Sequence, residues 1–238
     1  MTTIASPPMD PSTIDARLRV HIEPGRAAQE KAYLKSDLVH LGVPVPKVRI
    51  VAKEVYEEVG LDRALIDALW ATAVYEHRAL ATELLRFGQK ALGRADLPWI
   101  EGMVRRARTW ALIDTLAPDV IGPIVARDGA EDMDRWAQDD DFWVRRAALL
   151  YDLRRLRAGG GDWERFCRYA DAMLGEKEFF IRKAIGWVLR TVAEQDPERV
   201  AAWIRPRLHR MSGLTRREAT RKLPEGLRVA LEAEAVAR

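Results

Sequence analysis

Apolar residues recur along most of the chain with the spacing of amphipathic helices. Two of the clearest runs have the following positions: Ala64, Leu65, Ala68, Leu69 and Thr72 in the first, and Val104, Ala107, Ala111 and Leu112 in the second. These positions follow the period of about 3.6 residues that marks one face of a helix. The strict alternation of β-branched and polar residues that indicates a strand is missing. The chain is therefore predicted to be all-α.

Glycine and proline separate the periodic runs, as expected for the turns between helices. Clear examples are the segments 42–46, 122–123 and 159–161, while Pro98 and Pro206 suit the first turn of a helix. Residues 1–24 are rich in proline, serine and threonine. We expect them to form a loose N-terminal lead-in with one short helix, followed by a single domain over residues 25–238.

One ten-residue segment occurs twice. Residues 141–150 (DFWVRRAALL) and 178–187 (EFFIRKAIGW) share an acid, two aromatic residues, a β-branched residue, two bases and an alanine. Fainter copies lie at 78–80 (RAL) and 215–219 (TRREA). A repeat of about 35–40 residues built from helix pairs is typical of a HEAT-like solenoid of stacked antiparallel helix pairs. Such a solenoid has a concave groove, with Arg146 and Lys183 on corresponding helices and Trp187 one turn beyond Lys183.

The composition is that of a soluble globular protein, with 48% hydrophobic and 32% charged residues among 238. No stretch approaches the ~20 apolar residues of a membrane span, and the N-terminus lacks the features of a secretory signal. We therefore expect a cytoplasmic protein without a membrane partner.

The charge distribution is informative only locally. The net charge is +3 and the isoelectric point about 9.1, which is too mild a balance to indicate a nucleic-acid partner. Residues 205–222, however, carry seven basic residues against one acid. This segment is either part of a nucleic-acid surface or an ordinary solvated basic face.

Several kinds of chemistry have no sequence support. The single cysteine, Cys167, excludes an internal disulfide, and the four histidines lack metal-ligand spacing. Glycine-rich nucleotide motifs and the G-x-S-x-G nucleophile motif are missing, and the glycines at 159–161 follow no predicted strand. Neither a metal nor a nucleotide cofactor is expected.

Four residues are candidates for chemistry, although none is persuasive alone. Trp110 and Asp114 in the segment TWALID are spaced i, i+4, so both lie on one helix face. Taken separately, Asp114 is an ordinary helix carboxylate, Trp187 a core tryptophan and Arg146 an arginine that stabilises helix stacking.

Together these segments resemble the AlkD-like DNA glycosylases. The resemblance is carried by FFIRKAIGWVLR, DFWVRRAALL, TWALID and the upstream YLKS and LGVPVPKVR, from about residue 28 to about residue 223. Its most specific part is the block Phe179–Trp187, and LTRREA at 214–219 is similar to a C-terminal segment of the family. Two departures are Thr109, where relatives often carry an aromatic residue, and a longer N-terminal extension.

The resemblance implies a monofunctional DNA glycosylase of base excision repair that removes cationic N3- or N7-alkylated purines. Asp114 matches the catalytic aspartate, and Trp110 and Trp187 match the tryptophans that hold the damaged nucleotide. Arg146 matches the arginine that contacts the backbone at the lesion. Because the family is thought to cradle the nucleotide without a deep pocket, bulky cationic adducts would also be admitted.

These residue types suit that reaction. An alkylated purine is a cation that leaves as a neutral base, so the general acid of ordinary glycosidases is dispensable. Asp114 would stabilise the oxocarbenium-like sugar and position a water. The two indoles would attract the cation by about 0.5–2 kcal/mol each.

Duplex DNA requires a basic surface. The candidate DNA contacts are Tyr33, Lys47, Arg49, Arg145, Arg182, Lys183, Arg190, Arg216 and Arg217. We expect a monomer that associates with the nucleoid when bound to DNA. Two alternatives remain: a catalytically silent repeat protein that binds DNA structures, and a protein–protein scaffold, which would carry apolar or mixed residues in its groove.

Overall fold

The computed structural model describes residues 9–236, which are almost entirely helical. The helices are α1 (Pro11–Arg19), α2 (Arg26–Leu34), α3 (Val45–Val59), α4 (Arg63–Ala71), α5 (Tyr75–Phe87), α6 (Leu97–Arg105), α7 (Trp110–Leu116), α8 (Gly122–Asp128), α9 (Glu131–Trp136), α10 (Phe142–Leu150), α11 (Leu153–Arg157), α12 (Trp163–Met173), α13 (Phe179–Ala193), α14 (Pro197–Ile204), α15 (Gly213–Thr220) and α16 (Glu225–Val236). Over this range there is no β-strand, only an isolated bridge between Val39 and Val74. The all-α prediction is confirmed.

Helix starts are set by side chains that accept a hydrogen bond from a first-turn backbone N–H, which has no partner inside the helix. These N-cap residues are Asp10, Asp62, Asp141, Asp162, Glu178, Asp196 and Ser212. Pro98 occupies the first turn of α6, as predicted. Pro206 lies in a short 3-10 turn, Arg205–Arg207, which follows α14.

The chain forms two compact units, Met1–Leu116 and Ala117–Arg238. Of the lead-in expected over residues 1–24, positions 1–8 lie outside the described residues. The remainder contains α1, which packs on α3, α4 and α5 and buries Ile14 and Leu18 completely. In the described range, no helix is both long enough and apolar enough to cross a membrane.

The first unit is built around α5. Helices α3, α4 and α7 all pack against it, and Leu80, Leu84 and Leu85 on α5 are completely buried. This arrangement gives α5 a central place between the helices that carry the N-terminal candidate residues.

The second unit is built around α13, which packs against α10 on one side and α15 on the other. A Cβ atom at Gly186 would lie 2.6 Å from the Cβ of Glu218 on α15. Only glycine lets the two helices approach this closely, which explains its place in the block Phe179–Trp187.

A repeated hydrogen bond supports the helical repeat. Helices α5, α10 and α13 each carry an arginine at their fourth position: Arg78, Arg145 and Arg182. Each guanidinium donates to the carbonyl oxygen six residues earlier, at distances of 2.9, 2.5 and 2.7 Å. Arg146 and Lys183 accordingly occupy the same register position on α10 and α13, as predicted.

Candidate functional site

A cleft of about 530 Å³ opens in the first unit between α2, α3, α5 and α7. Four of the residues singled out in the sequence line it: Tyr33, Arg49, Trp110 and Asp114. Other lining residues are Arg26, Gln29, Glu30, Val48, Tyr75, Ala79, Thr82 and Glu83. The cleft therefore brings together the carboxylate of Asp114, the exposed ring of Tyr33, the half-buried indole of Trp110 and the guanidinium of Arg49.

Helix α7 presents the two central candidates. Trp110 is its first residue and Asp114 its fifth, and both side chains are half-buried at the cleft wall. Leu112, Ile113 and Leu116 are buried in the core. Burial of the apolar face thus fixes which face of this short helix meets the cleft.

The end of α2 and the loop that follows it contact the start of α7 through three interactions. Tyr33 packs edge-on against Trp110, and Thr109 Oγ1 donates to the carbonyl of Leu34 at 3.2 Å. Arg108, which forms an ion pair with Asp37, has a left-handed backbone with φ +60°. A residue without glycine's freedom is held in this conformation by the contacts around it.

Thr109 accounts for one departure from the family pattern. Its side chain is only 1% exposed and its hydroxyl is bonded to Leu34. The buried Thr109 hydroxyl therefore links the residue before α7 to the last residue of α2.

Arg78 organises the loop that leads into α7. Its buried guanidinium donates to the carbonyls of Thr72 at 2.9 Å and Arg106 at 2.5 Å. Burial lowers the pKa of this arginine from its usual value. The sequence shows a faint repeat copy at Arg78 but no sign of this role.

Two further carboxylates, Glu30 and Glu83, line the cleft and were missed from the sequence. Glu83 is buried and accepts hydrogen bonds from Arg49 at 3.0 Å and Arg86 at 2.6 Å. Glu30 lies 3.5 Å from Arg26 and 3.4 Å from His40. Both acids are paired within the wall of the cleft.

One group of three side chains in the described residues has the composition of a metal site. Ligand atoms of Glu30, His40 and Glu76 lie within 4.8 Å of one another. Glu76, however, is completely buried and accepts the backbone N–H groups of residues 41, 42 and 43, at distances down to 2.7 Å. Its carboxylate serves to fix the turn between α2 and α3.

In the second unit, Arg146 and Trp187 differ in accessibility. Arg146 is 2% exposed, and its guanidinium donates to the carbonyl of Phe180 and lies 6.0 Å from the centre of that ring. Trp187 is half-buried on α13, one turn beyond Lys183.

Four of the predicted DNA contacts in this unit are bonded to acidic or backbone groups. Lys183 Nζ donates to Glu218 at 2.6 Å, and Arg190 forms an ion pair with the same buried carboxylate. Arg145 binds the Glu176 carboxylate at 2.8 and 3.0 Å, and Arg182 donates to the Glu176 carbonyl at 2.7 Å. These bonds give all four a role in packing the repeats.

The remaining predicted DNA contacts are more accessible. Lys47 is exposed on α3. On α15, Arg216 is half-buried and Arg217 is exposed.

Comparisons with known proteins bear on the chain as a whole. The sequence profile of a family described as DNA alkylation repair enzyme matches residues 14–223. Among curated proteins, no sequence matches. A solved structure, the predicted DNA alkylation repair enzyme from Enterococcus faecalis, is similar with a TM-score of 0.74 at 23% identity, over 86% of this chain and 98% of that one. At this identity, the likeness shows the fold.

Proposed function

Because the chain belongs to the DNA alkylation repair enzyme family, we propose that it is a DNA glycosylase that hydrolyses the N-glycosidic bond of cationic N3- or N7-alkylated purines in duplex DNA. It would thereby start base excision repair of the lesion as a monofunctional hydrolase. The observation that carries this proposal is the placement of Trp110 and Asp114 on the wall of one cleft, with Tyr33 against the indole.

Asp114 is the catalytic residue of the proposal. The glycosidic bond of an alkylated purine breaks to give a neutral base and an electron-deficient sugar. A carboxylate beside that sugar stabilises its developing positive charge and orients the attacking water. Asp114 suits this role because it lines the cleft and is only half-buried, so it remains accessible to water.

The aromatic residues favour a cationic lesion. An indole face attracts a cation by about 0.5–2 kcal/mol, depending on desolvation, and attracts a neutral purine less. Trp110 and, on α13, Trp187 are both half-buried and present part of their rings to solvent. Selectivity for alkylated over normal purines would follow from this difference in charge. An open cleft would also admit bulky cationic adducts.

Basic residues of both units would bind the DNA backbone. In the first unit, Lys47 and Arg49 are exposed on α3. In the second, Arg146, Lys183 and Arg217 are each the fifth residue of their helix, and equivalent positions of a repeat lie on the same side of their helices. Arg216 and Arg190 would add to this surface. Arg146 would exchange the carbonyl of Phe180 for a phosphate oxygen when DNA binds.

Incubation with methylated duplex DNA tests the proposal directly. The purified protein should release 3-methyladenine or 7-methylguanine and leave abasic sites, without added metal or cofactor and in the presence of a chelator. DNA binding without release of a base would favour a silent DNA-binding protein. No binding and no release would favour a scaffold.

A further inference from the structure

A buried acid and an exposed arginine form a pair in the wall of the cleft. Glu83 on α5 has a side chain that is 6% exposed, whereas the side chain of Arg49 on α3 is 53% exposed. Arg49 Nε donates to Glu83 Oε1 at 3.0 Å. Because this bond uses Nε, the terminal amino groups of the guanidinium can bind an external anion at the same time.

The carboxylate of Glu83 is itself held in place. Arg86, three residues along the same helix, donates to Glu83 Oε2 at 2.6 Å. A buried carboxylate needs such charge-assisted bonds to offset its lost hydration. Arg86 therefore anchors the acid from one side, and Glu83 can orient Arg49 on the other.

We infer that Glu83 is a positioning residue for DNA binding, which fixes Arg49 so that its guanidinium meets a DNA phosphate at the cleft. This inference rests on the proposed function, because it requires DNA to lie across the cleft. A long side chain that is already ordered loses less conformational freedom when it binds, so the same contact gives a higher affinity. Glu83 thereby raises the affinity for DNA, although its charge has the same sign as that of DNA.

The sign of a mutational effect separates positioning from simple electrostatics. If Glu83 acted only through its charge, Glu83→Gln would remove a repulsion from DNA and raise the affinity. If Glu83 positions Arg49, the same change releases the arginine and lowers the affinity. Removal of Arg49 should then abolish the effect of Glu83→Gln.

The experiment measures the affinity for an undamaged duplex oligonucleotide over a range of salt concentrations. The chains compared are the wild type, Glu83→Gln, Glu83→Asp, Arg49→Ala, the double variant of Arg49→Ala with Glu83→Gln, and the control Glu57→Gln. Glu57 is an exposed acid on α3, 3.6 Å from Lys53. It controls for the loss of one negative charge from the helix that carries Arg49.

We expect Glu83→Gln and Arg49→Ala each to weaken binding by about threefold to tenfold and to lower the salt slope by up to about one. The double variant should resemble Arg49→Ala alone, and Glu57→Gln should bind at least as well as the wild type. Glu83→Asp keeps the charge and is the milder change for folding. It should still weaken binding, because its shorter side chain no longer reaches Arg49.

Equal or tighter binding by Glu83→Gln would overturn the inference. It would also be overturned if Glu83→Gln weakened binding by the same factor in the Arg49→Ala background as in the wild type. If Glu83→Gln does not fold by circular dichroism, unchanged binding by Glu83→Asp would overturn it. The proposed function fails separately, when the wild type releases no base from methylated DNA. A wild type that releases bases while the Glu83 variants bind normally would contradict only the positioning role.

Discussion

Tyr33 packs edge-on against Trp110, with ring centres 5.6 Å apart and ring planes at 77°. The pair joins the end of α2 to the start of α7, and the next residues on each side, Leu34 and Thr109, are hydrogen-bonded. Tyr33 is nevertheless 71% exposed. The exposed ring of Tyr33 packs against Trp110, which lies on the same helix face as Asp114. This arrangement is suited to hold a nucleotide against the Asp114 carboxylate.

Replacing Tyr33 should slow base excision without unfolding the protein. An edge-to-face aromatic pair is worth about 0.5–1.5 kcal/mol, so Tyr33→Ala should reduce the single-turnover rate by about twofold to tenfold. Tyr33→Phe keeps the ring and is the matched control, with a rate near that of the wild type. Equal rates for the alanine and phenylalanine variants would show that the ring does not support Trp110 during the reaction.

The close contact between α13 and α15 predicts a loss of stability at Gly186. Gly186→Ala places a methyl group 2.6 Å from Glu218 Cβ, and such overpacking should lower the free energy of unfolding by about 1–3 kcal/mol. Gly102→Ala in α6 is the control, because no atom lies within 4 Å of the added Cβ apart from those of its chain neighbours and of its own helix backbone. It should leave stability unchanged or raise it by up to about 1 kcal/mol through helix propensity. Denaturant unfolding measures both, and equal stabilities would contradict the packing argument.

Acid should destabilise the fold through His77. Burial lowers the pKa of His77 below its usual value of 6.5, against the opposing effect of Asp15, whose carboxylate lies 3.1 Å from Nε2. The unfolded chain therefore binds a proton more readily than the folded chain does, so stability falls as the pH drops below about 6.5. His77→Gln should lose part of this pH dependence of stability. The control His209→Gln, which replaces an exposed histidine, should keep all of it.

Denaturant unfolding of the three proteins at pH 5 and pH 7 checks this prediction. If His77→Gln keeps the whole difference in stability between the two pH values, another group is responsible for it.

The helices and their repeat could be predicted because their determinants are local. Apolar periodicity and N-cap residues such as Asp141 and Glu178 are visible in the sequence, and each cap makes its bond within its own first turn. The register of Arg146 and Lys183 followed from the same repeated segment. The family resemblance is confirmed over residues 14–223.

Side-chain pairs between helices could not be predicted in this way. The partners of Arg49, Arg78 and Lys183 lie 34, 28 and 35 residues away in the sequence. No pattern in a single sequence shows which carboxylate or carbonyl a given arginine meets. For this reason the bonds of Arg145 and Arg182 to Glu176 and the place of Glu83 in the cleft were not visible in the sequence, and contact of the two arginines with DNA stays a prediction.

The most direct test of the central claim is the single-turnover rate at which Asp114→Asn excises 7-methylguanine from duplex DNA, with enzyme in excess. The substitution keeps the shape of the side chain and removes the charge that faces the developing oxocarbenium ion. We predict a rate lower by about one to three orders of magnitude, a loss of ~2–4 kcal/mol, with folding unchanged and DNA affinity equal or higher. Excision by Asp114→Asn at the wild-type rate would contradict the account, because Asp114 would then be an ordinary helix carboxylate.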